Sequence, residues 1–135
     1  MTPQHQTIFG AGKGNCYATC IACLLDLEVE DVPNFCVDYP ADEWFQETQR
    51  WLAKRGTGTV YYTGGQTALD ELTALYPAAY CIVAGPGPRG CDHVVIYRGG
   101  EMVHDPHPSG AGLVEVEGVE LFVVLDPSLV TGGVQ

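Results

Sequence analysis

The residues best suited to chemistry fall at three places along the chain. The first is Gly12-Lys13-Gly14-Asn15-Cys16, where a glycine-rich stretch ends in a cysteine. From Cys16 to Leu27 there is no glycine or proline, so a helix is expected to start at the cysteine. A cysteine in the first helical turn faces unsatisfied amides and the positive end of the dipole. Both favour thiolate and are expected to lower its pKa. The Cys16 amide could also stabilise an oxyanion. Cys16 is therefore a candidate nucleophile, the competing reading being a small buried residue that happens to open a helix.

The second and third places are Asp92-His93-Val94-Val95-Ile96-Tyr97 and Glu101-Met102-Val103-His104-Asp105-Pro106, separated by Arg98-Gly99-Gly100. A histidine opening an apolar strand, followed by a hairpin that ends in a carboxylate, can supply a base and its orienting partner. Register decides whether they meet. A two-residue Gly99-Gly100 turn pairs 98 with 101 and puts His104 on the His93 face. A three-residue turn pairs Tyr97 with Glu101 and sets Asp105 across from His93. A catalytic pair thus requires the three-residue turn or a bulge.

Other residues carry rival chemistries. Cys20-Ile21-Ala22-Cys23 has the spacing of a redox pair, but it falls inside the expected helix, where buried small residues explain it. Cys16, Cys20, Cys23, Cys91, His93, His104 and His107 include enough ligand types for zinc, without the paired knuckles of a zinc module. His104 is expected to point to the other face of the sheet as a satisfied core or rim histidine. His107 lies on a loop beside the presumed site, where it either contacts substrate or is simply exposed. Cys36, Cys81 and Cys91 read as packing residues, and Trp44, Phe45 and Trp51 as core. Glu115, Glu117 and Glu120 read as the solvated side of a strand pair.

The elements that must position these residues read as helices first and strands later. Residues 1–15 form a glycine-rich N-terminal loop, and Asn15 is the N-cap candidate for the first helix. Within that helix Cys16, Cys20, Cys23, Leu24 and Leu27 make one apolar stripe. A second helix fits Ala41 to Arg55, a short strand Thr59 to Tyr62, and a third helix Thr67 to Tyr76, stopped by Pro77. Strands are expected at Ala79 to Ala84, His93 to Tyr97, Met102 to Asp105, Leu113 to Val116 and Val119 to Leu125, between glycine- and proline-rich turns. The expected fold class is α+β, with N-terminal helices packed on an antiparallel sheet. With 135 residues and 46% hydrophobic content, one domain over 1–135 is expected, with a flexible tail over 127–135.

The formal net charge of −11 argues against nucleic acid and against an anionic membrane surface as partners. No signal-peptide pattern opens the chain, so a reducing cytoplasm with free thiols is expected.

These residues carry a resemblance. A cysteine at a helix start, then His93-Val94-Val95-Ile96 and, after a glycine hairpin, Asp105-Pro106, resembles the papain-like cysteine peptidase superfamily. The likeness is nearest to the peptidase domains that trim double-glycine leaders, and to small papain-like proteins of phages and prophages. The opening Gln6-Thr7-Ile8-Phe9-Gly10 and Gly14-Asn15-Cys16 is similar to the latter. The resemblance implies a papain-like fold, with Cys16 as nucleophile, His93 as general base and Asp105 as the residue orienting it. It also implies Gln6 as the oxyanion-hole donor, with Gln4 the alternative, and places Asn15 and His107 beside the substrate. The expected function is thiol-dependent hydrolysis of a peptide or protein amide through a Cys16 thioester, with no cofactor and no metal. Deamidation and acyl transfer would use the same groups. The alternatives are a non-catalytic papain-like protein that binds and inhibits a host partner in the host cytoplasm, and a Cys/His zinc-binding domain.

Overall fold

The computed structural model of the chain describes residues 1–130. Four helices and one five-stranded antiparallel sheet follow the expected α+β order. They are α1 (Cys16–Leu25), α2 (Phe35–Asp38), α3 (Trp44–Ala53), β1 (Thr57–Thr63), α4 (Gly65–Leu75), β2 (Tyr80–Pro86), β3 (Asp92–Arg98), β4 (Glu101–His104) and β5 (Gly118–Val124). The strand order is β1-β5-β2-β3-β4. Among the described residues no helix is long and apolar enough to cross a membrane.

Helix α1 differs from the expected stripe. Every residue from Tyr17 to Leu25 is buried, because its small and apolar side chains leave no polar face to turn toward water. The helix also stops two residues early, where Asp26 adopts a left-handed conformation (φ 54°) and the Leu27 N–H closes onto the Ala22 carbonyl. Alternation along the strands then divides the core. On one face Ile82, Ile96 and half-buried Val94 and Phe122 pack with α1, Phe35 of α2 and Leu52 of α3. On the other, Cys81, Val83, Val95, Val119 and Leu121 pack with Leu69 and Leu72 of α4.

The expected strand at Leu113 to Val116 is absent. That segment crosses the end of β2 as a loop, with Val114 N–H on the Pro86 carbonyl and Glu117 N–H on the Ala84 carbonyl. These isolated contacts extend no ladder, so alternation alone misread it. The short α2 and a 3₁₀ turn at Val29–Asp31 occupy the stretch between the first two expected helices. Of the expected tail 127–135, residues 131–135 lie outside the described residues. Before them Leu129 N–H closes a turn onto the Asp126 carbonyl, and Val130 is buried.

Candidate active site

The β3–β4 hairpin settles the register. Gly99 and Gly100, at φ 61° and 84°, form the two-residue turn with positive φ at both centres, which suits glycine. Arg98 therefore pairs with Glu101 and Tyr97 with Met102. Then the register shifts: Ile96 pairs with His104, leaving Val103 unpaired as a bulge. Without the bulge, alternation would carry Asp105 to the Val94 side. With it, Asp105 joins the side of Val95 and His93. The turn is the two-residue kind, and the bulge restores the geometry that a three-residue turn would have provided.

His93 Nε2 lies 2.7 Å from Asp105 Oδ1. Both side chains are buried, at 4% and 1% exposure. The same Oδ1 accepts the His107 N–H at 2.8 Å, and Oδ2 accepts the Gly112 N–H at 2.8 Å. Burial opposes ionisation of Asp105, but the His93 ring and the two backbone donors outweigh it and hold the carboxyl below its ordinary pKa. Gly112, in the turn just before the loop read as a strand, supplies the second of these donors. His93 Nδ1 has no hydrogen-bond partner among the described residues. That nitrogen is left for a proton in the cleft. Gly87 leaves room for this ring, since a Cβ there would sit 3.0 Å from the His93 Cβ.

Cys16 opens α1 and lines the same cleft, about 1270 Å³ in volume, together with His93, Gln6 and His107. Its pKa runs opposite to expectation. Burial raises it, and hydrogen bonding from the backbone at Val94, Tyr17 and Cys16 itself offsets this only in part. The dipole argument assumes a solvated helix end, whereas desolvation of the half-buried Cys16 opposes the thiolate. Among the described residues no hydrogen bond joins Cys16 to His93.

Asn15 sits at the N-cap position without making a side-chain cap. Instead its Oδ1 accepts the Thr7 and Ile8 N–H groups and its Nδ2 donates to Thr7 Oγ1. Asn15 is buried, so it fastens the N-terminal segment to α1, in place of the expected cap and substrate contact. The first-turn amides consequently remain uncapped by any side chain. The two candidate glutamines separate clearly. Gln4 Nε2 donates to the Leu27 carbonyl at the far end of α1. Gln6 lines the cleft, its N–H bound to the Pro106 carbonyl and its Nε2 to the Ile8 carbonyl at 2.9 Å. One N–H of its amide remains, and its Oε1 is buried without a partner.

The remaining candidates fall into place by contact. His104 Nε2 lies 2.6 Å from the Gln4 carbonyl, away from His93, as the alternation required. His107 is half-buried on the cleft wall, its Nδ1 held by Ser109 and its ring edge-on to Phe9 and His93. Cys20 and Cys23 are fully buried within α1, and Cys81 is buried in the sheet. Cys36 and Cys91, read as packing residues, line the cleft, and Cys36 is exposed. Trp44 and Phe45, read as core, are half-buried on the same wall. Among the described residues no three His, Cys, Asp or Glu side chains are placed to hold a metal ion.

The sequence reading missed Glu120. It was assigned to a solvated strand face, yet it is 3% exposed and lines the cleft. Its Oε1 accepts from Tyr17 Oη and Thr59 Oγ1, each at 2.6 Å. Burial raises its pKa, and the two hydroxyl donors offset this only in part. A signal was present: Glu120 is the single charged residue of Gly118-Val119-Glu120-Leu121-Phe122-Val123-Val124, an otherwise apolar strand. Compared with known proteins, the chain matches no family model, no curated protein and no solved structure.

Proposed function

We propose that this chain is a thiol-dependent amide hydrolase of papain-like arrangement, acting on a peptide or protein. The observation that carries the reading is the buried His93–Asp105 pair, whose histidine lines the same cleft as Cys16 and has Nδ1 without a hydrogen-bond partner among the described residues. In this reading His93 Nδ1 takes the Cys16 proton as sulfur bonds to the acyl carbon. The Cys16 N–H and the second Gln6 Nε2 N–H donate to the developing oxyanion. As the C–N bond breaks, the imidazolium returns its proton to the leaving amine, and a thioester remains. Water, deprotonated by His93, then attacks the thioester to give the carboxylic acid and the thiol. Burial raises the Cys16 pKa, so in this reading His93 has the role of general base in the first step.

The test is a search for new peptide N-termini by mass spectrometry after incubation with a mixture of unfolded proteins. Cleavages made by the wild type and missing with Cys16→Ala and His93→Ala support the reading. Identical fragment patterns from wild type and Cys16→Ala would overturn it. The non-catalytic binding role would then be favoured.

A further inference from the structure

The acid–base machinery leaves one buried ionisable group of the cleft unused. Glu120 lies at the cleft floor beside Ile82 and across the sheet from Tyr61, its register partners on β2 and β1. Its Oε1 is occupied by two hydroxyls, but its Oε2 accepts nothing and is not sealed from solvent. Among the described residues no lysine, arginine or histidine lies within ion-pair distance of it. A carboxylate this deeply buried normally has a cation beside it or pays in desolvation. Four aromatic side chains line the cleft with it: Tyr17, which donates to it, Tyr61, its neighbour on β1, and Trp44 and Phe45. Tyr17 and Trp44 pack edge to face at 5.3 Å, and Trp44 and Phe45 at 5.8 Å. Glu117 also lines the cleft.

A carboxylate at the bottom of an aromatic-walled recess is the chemistry that recognises an organic cation, through charge and through the ring faces. The recess adjoins the nucleophile, because Tyr17 both follows Cys16 in α1 and donates to Glu120. A net charge of −11 would draw a cationic ligand toward the molecule as well. We infer that Glu120, with Tyr17, Tyr61 and Trp44, forms a subsite for a lysine or arginine side chain flanking the scissile amide. This rests on the hydrolase reading of the same cleft and adds its substrate class. Burial and the neighbouring Glu120 carboxyl keep the Tyr17 phenol protonated, so Tyr17 stays a donor that aims Oε1 and leaves Oε2 for the incoming cation.

The test compares two peptide chloromethyl ketones that differ only in lysine against norleucine beside the reactive carbon, with alkylation of Cys16 followed by mass spectrometry. In parallel, acetyl-lysine amide and acetyl-norleucine amide are titrated into Cys16→Ala by NMR, where no chemistry can occur. The lysine probe is expected to react about tenfold faster or more and the lysine amide to bind more tightly, both preferences disappearing in Glu120→Gln. Equal rates and equal binding in the wild-type cleft would overturn the subsite while leaving the nucleophile standing. Lysine-selective binding to Cys16→Ala with no alkylation of Cys16 would do the reverse. The wild-type comparison needs no substitution, so it decides the matter even if Glu120→Gln fails to fold.

Discussion

Asp105 and Glu120 are buried to nearly the same depth, at 5% and 3% exposure, yet their carboxyls shift in opposite directions. Burial works against the charge of both. Asp105 meets it with a histidine ring and two backbone N–H groups, which together favour the anion. Glu120 has two neutral hydroxyls on one oxygen and nothing on the other. The difference shows that burial alone does not set a carboxyl's state; the number and charge of its donors do. It also separates a carboxylate already satisfied, suited to orienting a base, from one that still lacks a counterion.

The largest way to break the satisfied half is to remove its carboxylate. Asp105→Ala should lower kcat/KM by roughly 100- to 10,000-fold and destabilise the fold by about 2 to 3 kcal/mol, read from hydrolysis rates and urea unfolding. Deleting exposed Val103, by contrast, should leave most of the activity intact. Met102 would still pair with Tyr97 and His104 with Ile96, so a regular ladder replaces the bulge and Asp105 stays on the His93 side. A loss as large as that of Asp105→Ala would show that the local bend of the bulge, and not the register, positions the carboxylate.

The opposite pKa shifts give opposite pH dependences of stability. The folded pKa of Asp105 lies below its unfolded value, so its contribution is fully present above the ordinary carboxylate pKa of about 4. That contribution is lost as pH falls through the folded value. For Glu120 the folded pKa lies above the unfolded one. Between the two values the folded state keeps a proton that the unfolded chain has released, so stability declines as pH rises from about 4 through the folded value, above which Glu120 is the anion. Urea midpoints followed from strongly acid to neutral pH should therefore lose the acid-side slope in Asp105→Asn and the upper slope in Glu120→Gln. Equal and parallel curves in both variants would erase the contrast between the two carboxyls.

The smallest effect belongs to the apolar interior that carries both groups. Cys20→Ala, at a fully buried position facing the Val94 carbonyl, should cost about 1 kcal/mol of stability or less. It should leave the reactivity of Cys16 unchanged. A large drop in that reactivity would tie the CxxC spacing to chemistry after all.

How much of this was legible in the sequence varied with the range of the interaction involved. The start of α1 at Cys16, the strand opened by His93 and the helices-then-strands order depend on local punctuation and period, and these elements stand within a few residues of expectation. Asp105 was legible only conditionally. Two glycines specify a turn, but nothing local to Glu101-Met102-Val103-His104 says that Val103 will be skipped. Gln6 could not be separated from Gln4 by spacing, because the choice is made by long-range contacts to Pro106 and Leu27. The sign of the Cys16 shift failed for a related reason: a dipole is local, whereas the burial that raises the pKa is set by the rest of the fold. Glu120 was lost by treating three glutamates as one charged group, when only the strand in which it is the sole polar side chain distinguishes it.

The most direct test of catalysis by Cys16 is acyl transfer from p-nitrophenyl acetate, with the site of acetylation mapped by mass spectrometry after an acid quench. A His93-assisted nucleophile predicts acetyl on Cys16 ahead of the exposed Cys36, with acylation slowed about 100-fold or more in His93→Ala and absent at this site in Cys16→Ala. Acetylation that follows exposure, with Cys36 first and the His93→Ala rate unchanged, would contradict it.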